Sequence, residues 1–308
     1  MTGIDFVGKR SWFFFISAIM VITSIISLAI FGLKPGVDFA GGTSITMEFS
    51  SPVEQEQLRE EMTNLGYDKV TIQRTGEDSY IIRLKEIYPQ ERDKLKTDLE
   101  TVLDRQIKVV DYYAVSATVG EETARNAGIA VVIAAVAMLF YIVWAFRRMP
   151  KPFRWGTCAI IALLHDVLIV VGIFSLLGWL FGVEINALFI TGLLAVVGYS
   201  INNTVVVFDR IRENMSKQIS PDFAQTVNSS ILETLARCLN TSLTTLFVIL
   251  ALFLFGGATI HYFVLVLLVG IIMGTYTSIC IAGELLVVWE KREWTKLSSW
   301  LPFVKRAT

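Results

Sequence analysis

Six stretches of this chain are each apolar enough, and nearly all long enough, to cross about 30 Å of hydrocarbon, which takes roughly 20 helical residues. They cover residues 12–31, 128–146, 157–181, 186–208, 239–255 and 263–289. Lipid offers no hydrogen bonds, so a continuous apolar stretch crosses it as a helix, with its backbone groups bonded internally. The whole chain agrees: 54% hydrophobic, 18% charged, mean hydropathy +0.57 over 308 residues. That balance excludes an ordinary soluble globular protein. The fifth stretch is the shortest unless its polar flank is included.

Placement of Lys and Arg orients the spans. Two precede the first span, four lie at 147–156, four at 209–237 and five from Glu290 onward, whereas the loops 182–185 and 256–262 carry none. The positive-inside rule then puts both termini in the cytoplasm and the long segment after the first span outside. Lys9 and Arg10 ahead of that span would suit a signal peptide. Its apolar core is too long for one and no small-residue cleavage site precedes Lys34-Pro35-Gly36, so it reads as an uncleaved anchor. The expected layout is therefore 1–32 as N-terminus and first helix, 33–124 as an outer head, 125–290 as five further helices, and 291–308 as a cytoplasmic tail. Cys158, Cys238 and Cys280 lie in or beside spans, which suits buried thiols and offers no disulfide framework or metal site.

The outer segment holds 11 Lys/Arg against 18 Asp/Glu, a net of −7, a sign that disfavours nucleic acid as a partner. Residues 44–49 alternate as a strand, and Ser51-Pro52 with Glu54 and Glu56 opens a helix ending near Gly66. Strands at 70–74 and 80–84 flank the turn 75–78. A second helix starts at Pro89 with Leu95, Leu99, Val102 and Leu103 on one face, and 107–115 is the last strand. The order β-α-β-β-α-β is that of an α+β ferredoxin-like sandwich inserted into the all-α bundle. Its lead-in, Gly36-Val37-Asp38-Phe39-Ala40-Gly41-Gly42-Thr43, is a glycine-rich turn that permits positive φ and close backbone approach, a suitable joint or hinge.

HExxH, GxSxG, P-loop and dinucleotide-binding motifs are absent, so no enzyme is indicated. Polar groups inside the spans carry the interest instead, since they cost free energy unless they face protein or water. Asn202 and Asn203 interrupt the fourth span, which then breaks into the charge cluster Asp209, Arg210, Arg212 and Glu213. Arg237, Asn240 (with Thr241) and Thr244 form a polar stripe in the fifth, a face expected to pack on other helices. His165 and Asp166 are adjacent in the third span, about 100° apart on a helix and so not expected to face each other. An interhelical hydrogen bond and a proton-handling role are both open for them. In the sixth span Gly270, Gly274, Ser278 and Ala282 recur every four residues, a ridge for close helix packing.

The run Gly198-Tyr199-Ser200-Ile201-Asn202-Asn203-Thr204-Val205-Val206-Val207-Phe208-Asp209-Arg210-Ile211-Arg212-Glu213 resembles the fourth-helix motif of the SecF family, the smaller membrane subunits of the SecD–SecF protein-export machinery. Asp38-Phe39-Ala40-Gly41-Gly42-Thr43 resembles the Asp-Phe-x-Gly-Gly-Thr signature shared by SecD and SecF after their first span, and 164–169 is also similar to SecF sequences. The resemblance covers nearly the whole chain. It implies a multi-pass protein of the bacterial plasma membrane, related to the resistance-nodulation-division exporters and driven by the proton-motive force. It implies SecD, the SecYEG translocon, unfolded exported polypeptide and YajC as partners beside the lipid bilayer, with no cofactor beyond a coupling ion.

SecF sequences commonly carry Asp where this chain has Asn203, with an Arg aligned to Arg237. An amide cannot take up a proton, so the resemblance then implies a titrating acid in SecD, tuned by Arg237. Sodium is the alternative to H⁺, since amide and hydroxyl oxygens suit hard cations. Two other functions stay open from sequence: a subunit exporting small molecules or lipids, and a non-conducting scaffold that binds exported polypeptide through its acidic head.

Overall fold

The computed structural model describes residues 5–293. The tail beyond, with Lys296, Lys305 and Arg306 of the charge bias, lies outside the described residues. The chain forms two compact units. One comprises Met1–Leu33, Ala130–Val183 and Leu188–Thr308, the other Lys34–Ile129 with Glu184–Ala187.

The first unit is helical. It holds α1 (Arg10–Phe31), most of α5 (Ala117–Ala145), α6 (Pro152–Phe181), α7 (Ala187–Ser216), α8 (Phe223–Phe255), α9 (His261–Cys280) and α10 (Ala282–Glu290). Among the described residues six spans meet the length and apolarity needed to cross a membrane, α9 and α10 together making the sixth. The break between them falls at Ile281, whose ψ of −50° with φ of −128° departs from the helix.

Helix α8 starts well before 239. Asp222 caps it by accepting from the Ala224 N–H at 3.2 Å, and residues 223–238 bury Ala224, Val227, Ile231 and Cys238. Thr226, Ser230 and Thr234 share that buried face, and each returns its hydroxyl to a carbonyl one turn back. Polar residues that satisfy themselves this way pass for loop in a hydropathy reading.

Close helix approach depends on small residues. A Cβ added to Gly270 would meet Val196 at 2.1 Å, and one added to Gly274 would meet Ser200 at 2.9 Å, so the expected ridge on α9 packs against α7. Gly172 of α6 sits equally close to Ser24 of α1, and Ser175 donates to the carbonyls of Ser27 (3.0 Å) and Gly32 (2.6 Å). Below these contacts Trp155 stacks on Phe146 and meets Phe208 edge-on, each with centroids 5.4 Å apart.

The second unit runs α2 (Val37–Ala40), β1 (Gly42–Phe49), α3 (Gln55–Asn64), β2 (Thr71–Arg74), β3 (Ser79–Leu84), α4 (Pro89–Leu103) and β4 (Ile107–Val115). Its antiparallel sheet has the order β2-β3-β1-β4, with a bulge at Val110 of β4, opposite Thr46 and Met47 of β1. Ile45, Met47, Phe49, Ile72, Tyr80, Ile82, Leu84 and Ile107 form one buried face, covered by Leu58 and Met62 of α3 and Leu95, Leu99 and Leu103 of α4. Each such side chain contributes about 1.5–3 kcal/mol on burial. Val102, expected on the same face of α4, is exposed, because Leu95, Leu99 and Leu103 alone keep the i, i+4, i+8 line. The Tyr88 N–H donates to Glu91 at 2.9 Å, boxing the start of α4 just ahead of Pro89.

The glycine-rich lead-in is tightly held. The Gly36 N–H donates to the Ile185 carbonyl and the Ile185 N–H to that of Lys34, both at 2.8 Å. Gly41 and Gly42 have φ of +75° and +127°, and a Cβ on Gly42 would meet the Leu84 carbonyl oxygen at 2.6 Å. Both glycines are thus needed for backbone conformation and for close approach. Gly42→Ala is expected to destabilise the head by about 1–3 kcal/mol, read as faster limited proteolysis within 34–129 and an earlier denaturant midpoint.

Glu184 pairs with Arg83 at 3.4 Å. Burial pushes its carboxyl above the usual Glu range, against the pull of Arg83, a Thr71 hydrogen bond and Lys34. The folded form binds this proton more tightly than the unfolded chain. The stability it contributes is therefore complete below the usual Glu range and is lost as pH rises through the raised folded value. Glu184→Gln is expected to flatten that decline in a pH series of head unfolding.

Candidate functional site

The most constrained polar group in the helical unit is Asp166, 0% exposed at mid-length in α6. Two helices supply its donors. Ser200 of α7 donates to Oδ2 at 2.5 Å, and Thr277 of α9 donates to Oδ1 at 2.5 Å. Charge-assisted O–H···O⁻ bonds are this short, and an acid buried without them would cost several kcal/mol. His165 Nδ1 lies 3.1 Å from the same Oδ1 and 3.2 Å from the Thr277 hydroxyl, while its Nε2 is buried without a hydrogen-bond partner among the described residues. Adjacent positions on a helix were expected to diverge. Here both side chains lean to the Thr277 hydroxyl of α9, which draws them into contact.

Further hydroxyls follow along the α7–α9 seam. Thr204 and Ser278 lie 2.9 Å apart, and Ser278 donates to the Gly274 carbonyl at 2.7 Å. Asn203, 2% exposed, donates through Nδ2 to Ser242 of α8 at 3.2 Å, and the Ser242 and Thr275 hydroxyls are 2.7 Å apart. The site is thus a layer of hydroxyls, one amide, one imidazole and one carboxylate between α6, α7, α8 and α9. Chemically it can hold and pass a proton, or offer oxygens to a small cation.

The other expected residues lie apart from this layer. Asn202 is exposed, one residue round from Asn203. Arg237, Asn240, Thr241 and Thr244 form an exposed stripe on α8, and Ser242, five residues beyond Arg237, sits on the buried face. Five residues turn a helix by about 140°, so Asn203 and Arg237 are not brought together. The stripe was expected to pack on helices, yet among the described residues no helix covers it. Thr241 and Thr244 donate to the carbonyls of Arg237 and Asn240, each at 2.9 Å.

The charge cluster binds α7 to α8. Asp209 pairs with Arg212 and Glu213 with Arg210, each at 2.5 Å, and Arg210 also pairs with Glu233 of α8. Asn214 donates to Ser230 (2.9 Å) and Glu233 (3.0 Å). In the signature segment, Asp38 accepts from the Ala187 N–H at 2.8 Å and Thr43 accepts from that of Ile87 at 2.9 Å. Phe39 is half-buried beside the glycine pair.

Sequence reasoning named Asp166 and His165 but missed Ser200, Thr204, Ser242, Thr275 and Thr277. A signal existed. Gly192, Val196, Ser200 and Thr204 recur every four residues in α7, as Gly270, Gly274 and Ser278 do in α9. Two such ridges facing each other place hydroxyls in register.

Residues 94–292 match the profile of the C-terminal region of SecD/SecF protein-export membrane proteins, and 26–53 match the SecD/SecF GG motif. The SecF translocase subunit of Thermobaculum terrenum is 44% identical over 96% of both chains. SecDF of Bacillus subtilis is 34% identical over 96% of this chain, which spans 39% of that protein. A crystal structure of SecDF from Thermus thermophilus superposes with a TM-score of 0.84 at 34% identity, over 94% of this chain and 39% of that one. By motif, by length and by three-dimensional agreement, this chain belongs to the SecD/SecF family of protein-export membrane proteins.

Proposed function

We propose that this chain is the SecF-type subunit of a bacterial Sec protein-export machinery, a multi-pass, non-enzymatic membrane component that works with a SecD-type partner. The family assignment carries the export role. Relatives in which one chain named SecDF contains a region similar to this one support the SecD-type partner. The exposed polar stripe on α8 fits that partner's surface, because lipid would leave Arg237 and Asn240 unsatisfied. The Lys and Arg bias supports cytoplasmic termini and an outer head. The order of strands and helices in the head, with its β2-β3-β1-β4 sheet, supports a ferredoxin-like sandwich. Polypeptide emerging from SecYEG is its proposed substrate, with YajC as a companion subunit.

Coupling to an ion gradient rests on one observation: a fully buried Asp166 held only by hydroxyls and an imidazole. Such an acid can take a proton with little rearrangement, since Ser200 and Thr277 can turn from donors to acceptors. Protonation would loosen the ties from α6 to α7 and α9, converting proton occupancy into helix packing. A sodium ion on the same oxygens is the alternative outcome of the test.

Asp166→Asn keeps the shape and removes the carboxylate. It is expected to lower gradient-driven export in vesicles at least about tenfold, equivalent to about 1.4 kcal/mol, while the complex still assembles. Driving export by a pH difference or by a sodium difference then identifies the ion, and full activity in the variant would place coupling elsewhere.

Arginine within a span costs roughly 2.5–3.5 kcal/mol on insertion scales, which argues for a task. Arg237→Lys is expected to keep part of the activity, and Arg237→Met to lose export or partner co-purification. Normal export by Arg237→Met would make Arg237 a simple interfacial flank.

A further inference from the structure

A second buried acid is unused by that mechanism. Glu284 in α10 is 0% exposed, and neither carboxylate oxygen has a hydrogen-bond partner among the described residues. An ionised carboxylate left so would cost several kcal/mol even after relaxation. Its surroundings are apolar: Val227 and Ile231 of α8 close on the neighbouring Gly283, and Ile281, Ala282, Leu286 and Val287 belong to the main core cluster. The charged or titratable groups facing it are Arg10 from α1 and Cys280 and Tyr276 from α9, with the thiol of Cys158 from α6 in the same core. Arg10 is already engaged. It holds Glu293 at 2.6 Å and donates to the Val7 carbonyl at 3.0 Å.

We propose that Glu284 is a second proton-binding site, a neutral acid in this state that exchanges its proton with the cytoplasmic side when Arg10 moves from Glu293 to Glu284. The proton leaves the Glu284 carboxyl for water, the guanidinium takes its place as the compensating charge at Glu284, and the Glu293 carboxylate it leaves turns to water at the helix end, so the group as a whole releases one positive charge. Arg10 is thus shared between two carboxylates, one paired and one protonated.

The position suits a relay toward Asp166. Tyr276, Cys280 and Glu284 recur every four residues across the break at Ile281. The Tyr276 ring lies 6.4 Å from that of His165, whose buried Nε2 has no partner among the described residues and whose Nδ1 adjoins Asp166. Tyr276 O–H also reaches Ser17 (3.2 Å) and the Phe13 carbonyl (3.0 Å) of α1, the helix that carries Arg10. This inference rests on the cytoplasmic placement of the termini and on proton coupling through Asp166.

The test is an infrared pH titration of the full-length protein with its partner subunit in lipid vesicles, paired with export assays. A protonated-carboxyl band is expected at neutral pH, lost in Glu284→Gln and retained in Asp166→Asn, so the two acids are read separately. Glu293→Gln frees Arg10, and it is expected to lower the pH at which the band disappears by about one unit or more. Glu284→Gln, shape-conserving and neutral, is expected to slow pH-driven export several-fold, with Glu284→Asp partly restoring it. The inference is overturned if the band is absent at neutral pH, if Glu293→Gln leaves its titration unmoved, or if Glu284→Gln exports at the normal rate. Failure of the Asp166 reading would appear instead as normal export by Asp166→Asn, whatever the Glu284 band does.

Discussion

Asp166 is 0% exposed, and the packing around it follows from the need to bring donors to its two oxygens. Those donors, Ser200 and Thr277, have short side chains, so α7 and α9 must come close to α6 and to each other. Gly270 and Gly274 make the approach possible, since any Cβ there would collide with Val196 and Ser200. The energetics are asymmetric. A neutral hydrogen bond adds only about 0.5–1.5 kcal/mol, but losing one of these donors would expose the acid to a desolvation penalty of about 1–3 kcal/mol or more. The glycines are therefore required by the carboxylate as much as by the helices. A polar group of this kind makes the arrangement specific as well as stable, because sliding α9 by one residue would strand the acid.

Helix α8 shows how the same medium treats two faces of one element. Its inner face carries Thr226, Ser230, Thr234 and Ser242, all buried. Its outer face carries Arg237, Asn240, Thr241 and Thr244, all exposed. On both faces most hydroxyls return to a carbonyl one turn back, at 2.7–3.3 Å. Threonine and serine are thus self-sufficient in a span, whereas arginine and asparagine are not. The outer stripe is informative through Arg237 and Asn240 rather than through its threonines, and those two explain why the face calls for a protein neighbour.

Hydropathy made the six spans legible, because length and apolarity suffice to name a membrane helix and need no knowledge of its neighbours. It failed where the signal is relational. The first turns of α8 alternate apolar and hydroxyl residues and fall outside the apolar stretch 239–255, since their burial comes from neighbouring segments, with Asn228 accepting from the Phe6 N–H at 2.8 Å. Val102 was grouped with Leu99 and Leu103 by proximity in sequence, although it faces solvent. The polar layer was half legible. His165 and Asp166 were visible as ionisable residues in a span, but Ser200 and Thr277 became significant only through the meeting of two four-residue ridges. Their convergence depends on helix pairing, which no single-helix pattern encodes.

The amide at 203 fits the same physical logic. Asn203 donates to Ser242, and the Ser242 hydroxyl stands 2.7 Å from that of Thr275, which in turn reaches the Ile271 carbonyl at 2.7 Å. Hydroxyls donate or accept as needed, so this line can run toward Ile271 when residue 203 donates, or toward 203 when an acid there accepts. The packing accommodates either side chain, and a carboxylate is not required to hold α7 against α8. What an amide gives up is titration alone. Among the described residues the buried carboxylates are then Asp166 and Glu284, one furnished with donors and one without. The difference is one of packing: the donors from α7 and α9 tie Asp166 to two neighbouring helices, whereas the core around Glu284 is apolar and offers its carboxyl no hydrogen bond.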